Sequence, residues 1–166
     1  RKVFGWVLLF LMSTIVSFGQ IAKPVFEVVP LGVYGGIDVR NLSAYLVAPF
    51  GTKEYVCLDA GTVHSGIEKA IEKGTFSVPS STVLRQYIKG YCISHAHLDH
   101  VSGLIINSPA DSTKTVYAIA PAMKMMQNHY FNDQTWANFG DEGFGKPLKK
   151  YHFETLSFAK TIPISN

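Results

Sequence analysis

Cysteine is scarce in this chain, with two in 166 residues, and charged residues make up only 16%. One cysteine pair cannot supply the disulfide framework on which small secreted domains with little core depend. Cys57 and Cys92 each fall inside an apolar run, so they read as buried free thiols rather than as a bridge. No run of one charge stands out: 15 basic residues face 12 acidic ones, and leaving aside Arg1 and Lys2 gives 13 against 12, a net of +1. That balance argues against a polyanion-binding surface, and no nucleic-acid partner is expected. Neither G-x-x-x-x-G-K nor a strand-linked G-x-G-x-x-G occurs, so Gly35-Gly36 reads as a loop and not as a phosphate cradle. Internal repeats, low-complexity tracts and interdomain linkers are also missing, and the length suits one domain.

The chain does have a targeting pattern at its start. Arg1 and Lys2 give a positive beginning, residues 3–16 an apolar core, and Ser17-Phe18-Gly19 a small-x-small ending. This reads as a signal peptide over residues 1–19, with Gln20 opening the mature protein. The apolar stretch is shorter than the roughly 20 residues of a spanning helix, and no cysteine follows it to carry a lipid. An exported protein, periplasmic or extracellular, without stable membrane association after cleavage is therefore expected; an uncleaved N-terminal anchor is the alternative.

The chemistry is concentrated in His95-Ala96-His97-Leu98-Asp99-His100. From the residue frequencies of this chain, an H-x-H-x-D-H string should arise by chance in roughly a few of every ten thousand such chains. On an extended backbone His95 and His97 point to the same side about 6.5 Å apart, whereas on a helix they would diverge. The segment is therefore expected to be a strand, Tyr91-Cys92-Ile93-Ser94, running into a loop. Asp99 and His100 are expected to turn away from the first pair and serve a second ion, as in two-metal hydrolases with ions about 3.5–4 Å apart. Imidazole and carboxylate without thiolate suit zinc, with manganese or iron as alternatives. The candidate ligands are thus His95, His97, Asp99 and His100, with Asp99 also the candidate catalytic carboxylate.

The stretch HAHLDHVSGLIINSP, from His95 to Pro109, resembles the signature of class II cyclic-nucleotide phosphodiesterases, a branch of the metallo-β-lactamase superfamily. The H-x-H-x-D-H string marks the superfamily; the continuation Val101-Ser102-Gly103-Leu104-Ile105-Ile106-Asn107-Ser108-Pro109 carries the likeness to the phosphodiesterase branch. Ile88-Lys89-Gly90 and Trp136-Ala137-Asn138-Phe139 extend it. Val56-Cys57-Leu58-Asp59-Ala60-Gly61 is similar to the superfamily's aspartate-glycine turn beside the metals, which would make Asp59 a supporting residue that orients a ligand imidazole or loop amide.

The resemblance implies an α/β, metallo-β-lactamase-like αββα sandwich, of which residues 20–166 form the N-terminal half, incomplete at the C-terminus. It implies hydrolysis of 3′,5′-cyclic nucleotides (cyclic AMP or cyclic GMP) to 5′-monophosphates by a metal-bound hydroxide, with two divalent ions as cofactors and a small cyclic nucleotide as the partner. A third histidine and a bridging aspartate are expected beyond Asn166, both ends look cut, and the 166 residues alone are expected to be inactive. Another superfamily hydrolase, acting on a lactam, lactone, thioester or RNA 3′-end, would use the same four ligands; a truncated fragment that merely binds is the non-enzyme alternative.

The other polar residues have plainer readings. His152 should lie with Lys150 and Glu154 on a solvated strand face, His129 at a helix end, and His64 beside Ser65 without a partner in sequence. Met123, Met125 and Met126 are explained at least in part by core packing. Residues 26–29, 43–47 and 115–120 read as strands. Helices are expected over residues 66–73, capped by Ser65 and stopped by Gly74, over 82–89, ended by Gly90, and over 101–107. Residues 132–147 are the most loop-like part.

Overall fold

The computed structural model describes residues 23–158 and 161–163, so the targeting segment and the extreme C-terminal residues lie outside the described part. Six strands form one sheet in chain order: β1 Phe26–Gly32, β2 Ala44–Pro49, β3 Tyr55–Leu58, β4 Ile88–Ile93, β5 Lys114–Ile119 and β6 Tyr151–Leu156. β1, β2 and β3 pair antiparallel, while β3 to β6 run parallel. Parallel neighbours need long crossovers, and these contain the helices. Helix α1, His64–Glu72, and the short α2, Ser80–Thr82, lie between β3 and β4; α3, Leu98–Asn107, follows β4; α4, Ala120–His129, follows β5.

Strand alternation divides the sheet into two faces. Val29, Leu46, Cys57, Tyr91, Val116 and Phe153 stand opposite one another across all six strands, and all are buried in the core with residues of the three longer helices. One residue along, Val28, Val47, Val56, Gly90, Thr115 and His152 form the matching row on the other face. There Val28 is 55% and Leu58 42% exposed. That face is thus apolar and partly uncovered among the described residues. Both cysteines are free, with Cys57 buried; burial, and then the charge of Asp59, raises its thiol pKa far above the ordinary range.

Helix α1 buries Gly66, Ile67 and Ala70 against the sheet and ends at Gly74, whose φ of +77° suits a residue without Cβ. Ser65 does not cap it. The helix begins one residue before Ser65, and no side chain caps its start. The helix expected over residues 82–89 is also corrected: a wide π turn occupies Val83–Tyr87, and Ile88 already begins β4. Pairing of Tyr55 with Ile88 and of Val56 with Gly90 draws that segment into the sheet, overriding its helical propensity.

Lys150 departs from the expected solvated face. Its ammonium donates to the carbonyls of Ser108 and Pro109, at 2.9 Å each, where α3 ends, and lies 5.2 Å above the Phe139 ring. A cation there satisfies orphan carbonyls and complements the helix dipole. His152 is exposed as expected and pairs with Asp141. His64 does have a partner, Glu68, one turn along α1 at 3.6 Å. In α4 Met123 and Met126 are buried, Met125 is about half exposed, and His129 is exposed at the helix end. Residues 132–147 contain no named helix or strand.

Candidate metal centre

Ligand sites in open α/β sheets form at the carboxyl ends of parallel strands, and here two such ends lie side by side. Leu58 pairs with Cys92 near the ends of β3 and β4, so the following residues, Asp59 and Ser94, meet. Asp59 N–H donates to Cys92 O at 2.9 Å, and Ser94 N–H donates to Asp59 Oδ1 at 2.9 Å. The turn is tight enough to place Asp59 at φ +53°, and the aspartate rather than Gly61 takes the left-handed conformation. Asp is among the few residues that tolerate this region, because its short side chain bonds locally.

Glycine is needed at Gly61 for another reason. A Cβ there would lie 2.2 Å from Asp99 O, and one on Gly103 would lie 2.7 Å from Ala60 O. The two glycines let the 59–61 turn lie flush on α3. Ala60 then bonds α3 twice: its N–H donates to His100 O (2.7 Å) and its carbonyl accepts from Leu104 N–H (3.0 Å). Those are the two groups that a helical turn would join to each other. The turn carrying Asp59 and the helix carrying Asp99 and His100 are therefore one unit.

The three imidazoles converge. His95 and His97 have ring centroids 4.6 Å apart, in keeping with the i, i+2 expectation, and His95 and His100 are closer still, at 4.0 Å. Here the expectation for Asp99 and His100 is corrected. Helix α3 starts at Leu98, three residues earlier than expected, and its first turn swings His100 back over His95 instead of away from it. Asp99 Oδ2 lies 3.4 Å from His100 Nε2, on the same opening.

One carboxylate organises two of the rings. His100 Nδ1–H donates to Asp59 Oδ2 at 2.7 Å. Ser94 Oγ–H donates to Asp59 Oδ1 at 2.8 Å, and this hydroxyl accepts from His95 Nδ1–H at 3.0 Å. Ser43 Oγ–H adds a longer bond, 3.3 Å, to Asp59 Oδ2. Both rings are thereby held as Nδ1–H tautomers with the Nε2 lone pair free. This is the outer-shell pattern that presents imidazole to a cation. Tyr130 OH donates to Ala96 O (2.9 Å) and ties the loop between the histidines to the end of α4.

The donor set of three imidazoles and one carboxylate fits a divalent cation such as zinc. Among the described residues, no three His, Cys, Asp or Glu side chains already stand in the arrangement that would hold an ion. Asp59 and the four motif residues were the candidates from sequence; Ser94, Ser43 and Tyr130, which the structure adds around them, were missed. Ser94 directly precedes His95, and that adjacency was the one signal available. The loop before Asn41 also reaches the site: a Cβ on Gly35 would lie 3.2 Å from Asp99 Oδ2.

A family model described as cAMP phosphodiesterases class-II matches residues 77–165. The "Probable 3',5'-cyclic-nucleotide phosphodiesterase" of Yersinia pestis is 43% identical over 157 residues, covering 89% of this chain and 46% of that protein. The 3',5'-cyclic-nucleotide phosphodiesterase of Aliivibrio fischeri is 43% identical over 150 residues, covering 84% and 46%. Unliganded yeast PDE1 has a similar structure, with TM-score 0.72 at 21% identity over 84% of this chain and 52% of its own. The metallo-β-lactamase fold protein YhfI from Bacillus subtilis matches with TM-score 0.53 at 15% identity, covering 86% and 50%. These two likenesses bear out the expected fold class. The chain spans about half the length of the relatives it matches.

Proposed function

The chain belongs to the class II cyclic-nucleotide phosphodiesterase family, and from that premise we propose that the full-length protein hydrolyses 3′,5′-cyclic nucleotides to 5′-monophosphates. The observation that carries this reading is the family match over residues 77–165, and the gathering of His95, His97, Asp99 and His100 at the ends of β3 and β4 supports its metal dependence. Two divalent ions, zinc first, would be held there by these four residues together with ligands from the rest of the protein. When bound, such ions supply an activated water and offset the charge that develops on the phosphoryl oxygens.

The chain's own residues do the positioning. Asp59 fixes the His100 ring through Nδ1, and Ser94 relays the same carboxylate to His95. A ring locked in one tautomer and one orientation loses little further freedom on taking up a cation, which strengthens binding. Asp99, in the first turn of α3, meets the helix's positive end, where a carboxylate is favoured. Its position between His100 and Gly35 puts it at the boundary between the imidazoles and the 33–42 loop. Export of the mature protein is part of the proposal and rests on the pattern of residues 1–19 alone.

The test is product analysis with the full-length protein, offered cyclic AMP, cyclic GMP, a β-lactam and a lactone. Release of 5′-monophosphate is the expected outcome. Turnover of only the acyl substrates would move the protein to another hydrolase class of the same fold.

A further inference from the structure

A cleft of about 770 Å³ opens beside Asp99, within the volume range of small-molecule sites. One wall is α3, where Leu98, Ser102 and Ile106 recur at i, i+4 and i+8 along about 12 Å of helix. The loop carrying Gly36 and Val39 and the turn through Thr62 to the start of α1 complete the lining. Leu98 is 59%, Ile106 64% and Val39 76% exposed. Solvating three branched side chains so fully, around one cleft and next to the candidate metal centre, is costly unless something apolar fills it.

Two hydroxyls lining the cleft are already committed, while Ser65, His64 and Asn107 keep polar atoms open to it. Thr62 Oγ1 accepts from Leu42 N–H and donates to Val39 O, and Ser102 Oγ donates to Gly61 O. Asn107 Nδ2 donates to Gly103 O at 2.8 Å, and among the described residues its Oδ1 accepts nothing. The cleft thus offers apolar walls, a carboxylate at one end and a free amide acceptor about two helical turns away at the other. That matches a flat, weakly polar ring system joined to an anion held at the metal centre.

We infer that this cleft is the nucleoside subsite: the base of the cyclic nucleotide lies between Ile106 and Val39, and an exocyclic amine of the base donates to Asn107 Oδ1. The inference rests on the phosphodiesterase reading above and assigns specificity residues to it. A base suits this cleft because apolar side chains from two separate elements line it, together with the free amide acceptor of Asn107.

The experiment uses the full-length protein with cyclic AMP as substrate and adenosine, which has no phosphate, as competitor. Ile106→Asp and Val39→Asp each place a charge in the lining at exposed positions, where folding tolerates it. Each is expected to raise KM for cyclic AMP and the inhibition constant for adenosine about tenfold or more. Bound metal should be unchanged and kcat should stay within about twofold, the pattern of lost binding that is equal in ground and transition states. Unchanged KM and adenosine inhibition in both variants would overturn the subsite while leaving the phosphodiesterase reading intact. A wild-type protein that turns over no cyclic nucleotide would overturn both.

Discussion

Asp59 and His100, 41 residues apart in sequence, are joined by a 2.7 Å hydrogen bond from the ring Nδ1–H to Oδ2. The same carboxylate reaches His95 through Ser94, so one strained residue, at φ +53°, sets the orientation of two imidazoles. Asp59→Asn keeps a side chain that tolerates the left-handed backbone but loses the anionic acceptor. It should fold normally and bind metal about 10–100-fold more weakly in the full-length protein. Asp59→Ala should show the same metal defect plus a loss of about 1–2 kcal/mol in stability from the disfavoured backbone. Metal titration and urea denaturation of both variants separate the two effects, and equal metal affinity in wild type and Asn variant would contradict the orienting role.

The fit between the 59–61 turn and α3 makes a second prediction. Gly61→Ala would drive a methyl to within 2.2 Å of Asp99 O, with Leu42 Cβ at 2.6 Å, and the backbone must move to relieve it. A loss of about 1–3 kcal/mol is expected, as for overpacked cores. Gly74→Ala meets nothing within 4 Å and is limited to the strain of its positive φ. Denaturation midpoints should therefore fall more for Gly61→Ala than for Gly74→Ala; the reverse order would show that the turn does not pack on α3 as described.

How much of this was legible in the sequence depended on the range of the interactions involved. The strand-to-loop geometry of His95 and His97 follows from backbone periodicity within six residues, and Asp59 could be found because a strand-ending Asp-Ala-Gly is itself a local pattern. The approach of His100 to His95 could not be read the same way. It depends on α3 starting at Leu98, and Ala60, from a distant turn, bonds that helix at His100 and Leu104. Lys150 was misjudged for a similar reason: its alternation with His152 is a strand signal, but its ammonium is recruited by α3 carbonyls more than 40 residues away. The short α2 and early β4 reflect sheet pairing that no local propensity encodes.

Alkaline stability gives a third test. Burial, followed by the charge of Asp111, raises the pKa values of Tyr91 and Tyr151 well above the ordinary value of 10.0. Both hydroxyls donate to Asp111 Oδ2, at 2.7 and 2.9 Å. A raised folded-state value favours the protonated form in the native protein. The stability it contributes is whole below the unfolded value and is lost as pH rises above it. Stability should therefore hold to about pH 10 and decline beyond, with Tyr91 and Tyr151 ionising only as the chain unfolds. Tyrosinate absorbance followed together with circular dichroism checks this; full ionisation of all tyrosines with the fold retained would contradict it.

The same buried cluster supplies a fourth prediction. Lys114 is ion-paired with Asp111 with both side chains almost fully buried, and burial holds the Lys114 pKa below its usual value. Asp111→Ala leaves the buried ammonium without its counter-ion and two tyrosine hydroxyls without their acceptor, so a loss of about 3–5 kcal/mol is expected. The double variant Asp111→Leu with Lys114→Met should recover much of that loss. A double variant no more stable than Asp111→Ala would show that the pair contributes more than charge compensation.

The most direct test of the central claim is a paired measurement on full-length wild type and His97→Ala: zinc bound per protein, and conversion of cyclic AMP to its 5′-monophosphate under the same conditions. The His97 side chain makes no hydrogen bond among the described residues, and its ring stands 4.6 Å from His95 at the opening of the site. The expected result is wild-type turnover with bound metal, and a variant in which metal content and hydrolysis fall together by about tenfold or more. Unchanged metal and turnover in His97→Ala, or a metal-loaded wild type that leaves cyclic AMP intact, would contradict it.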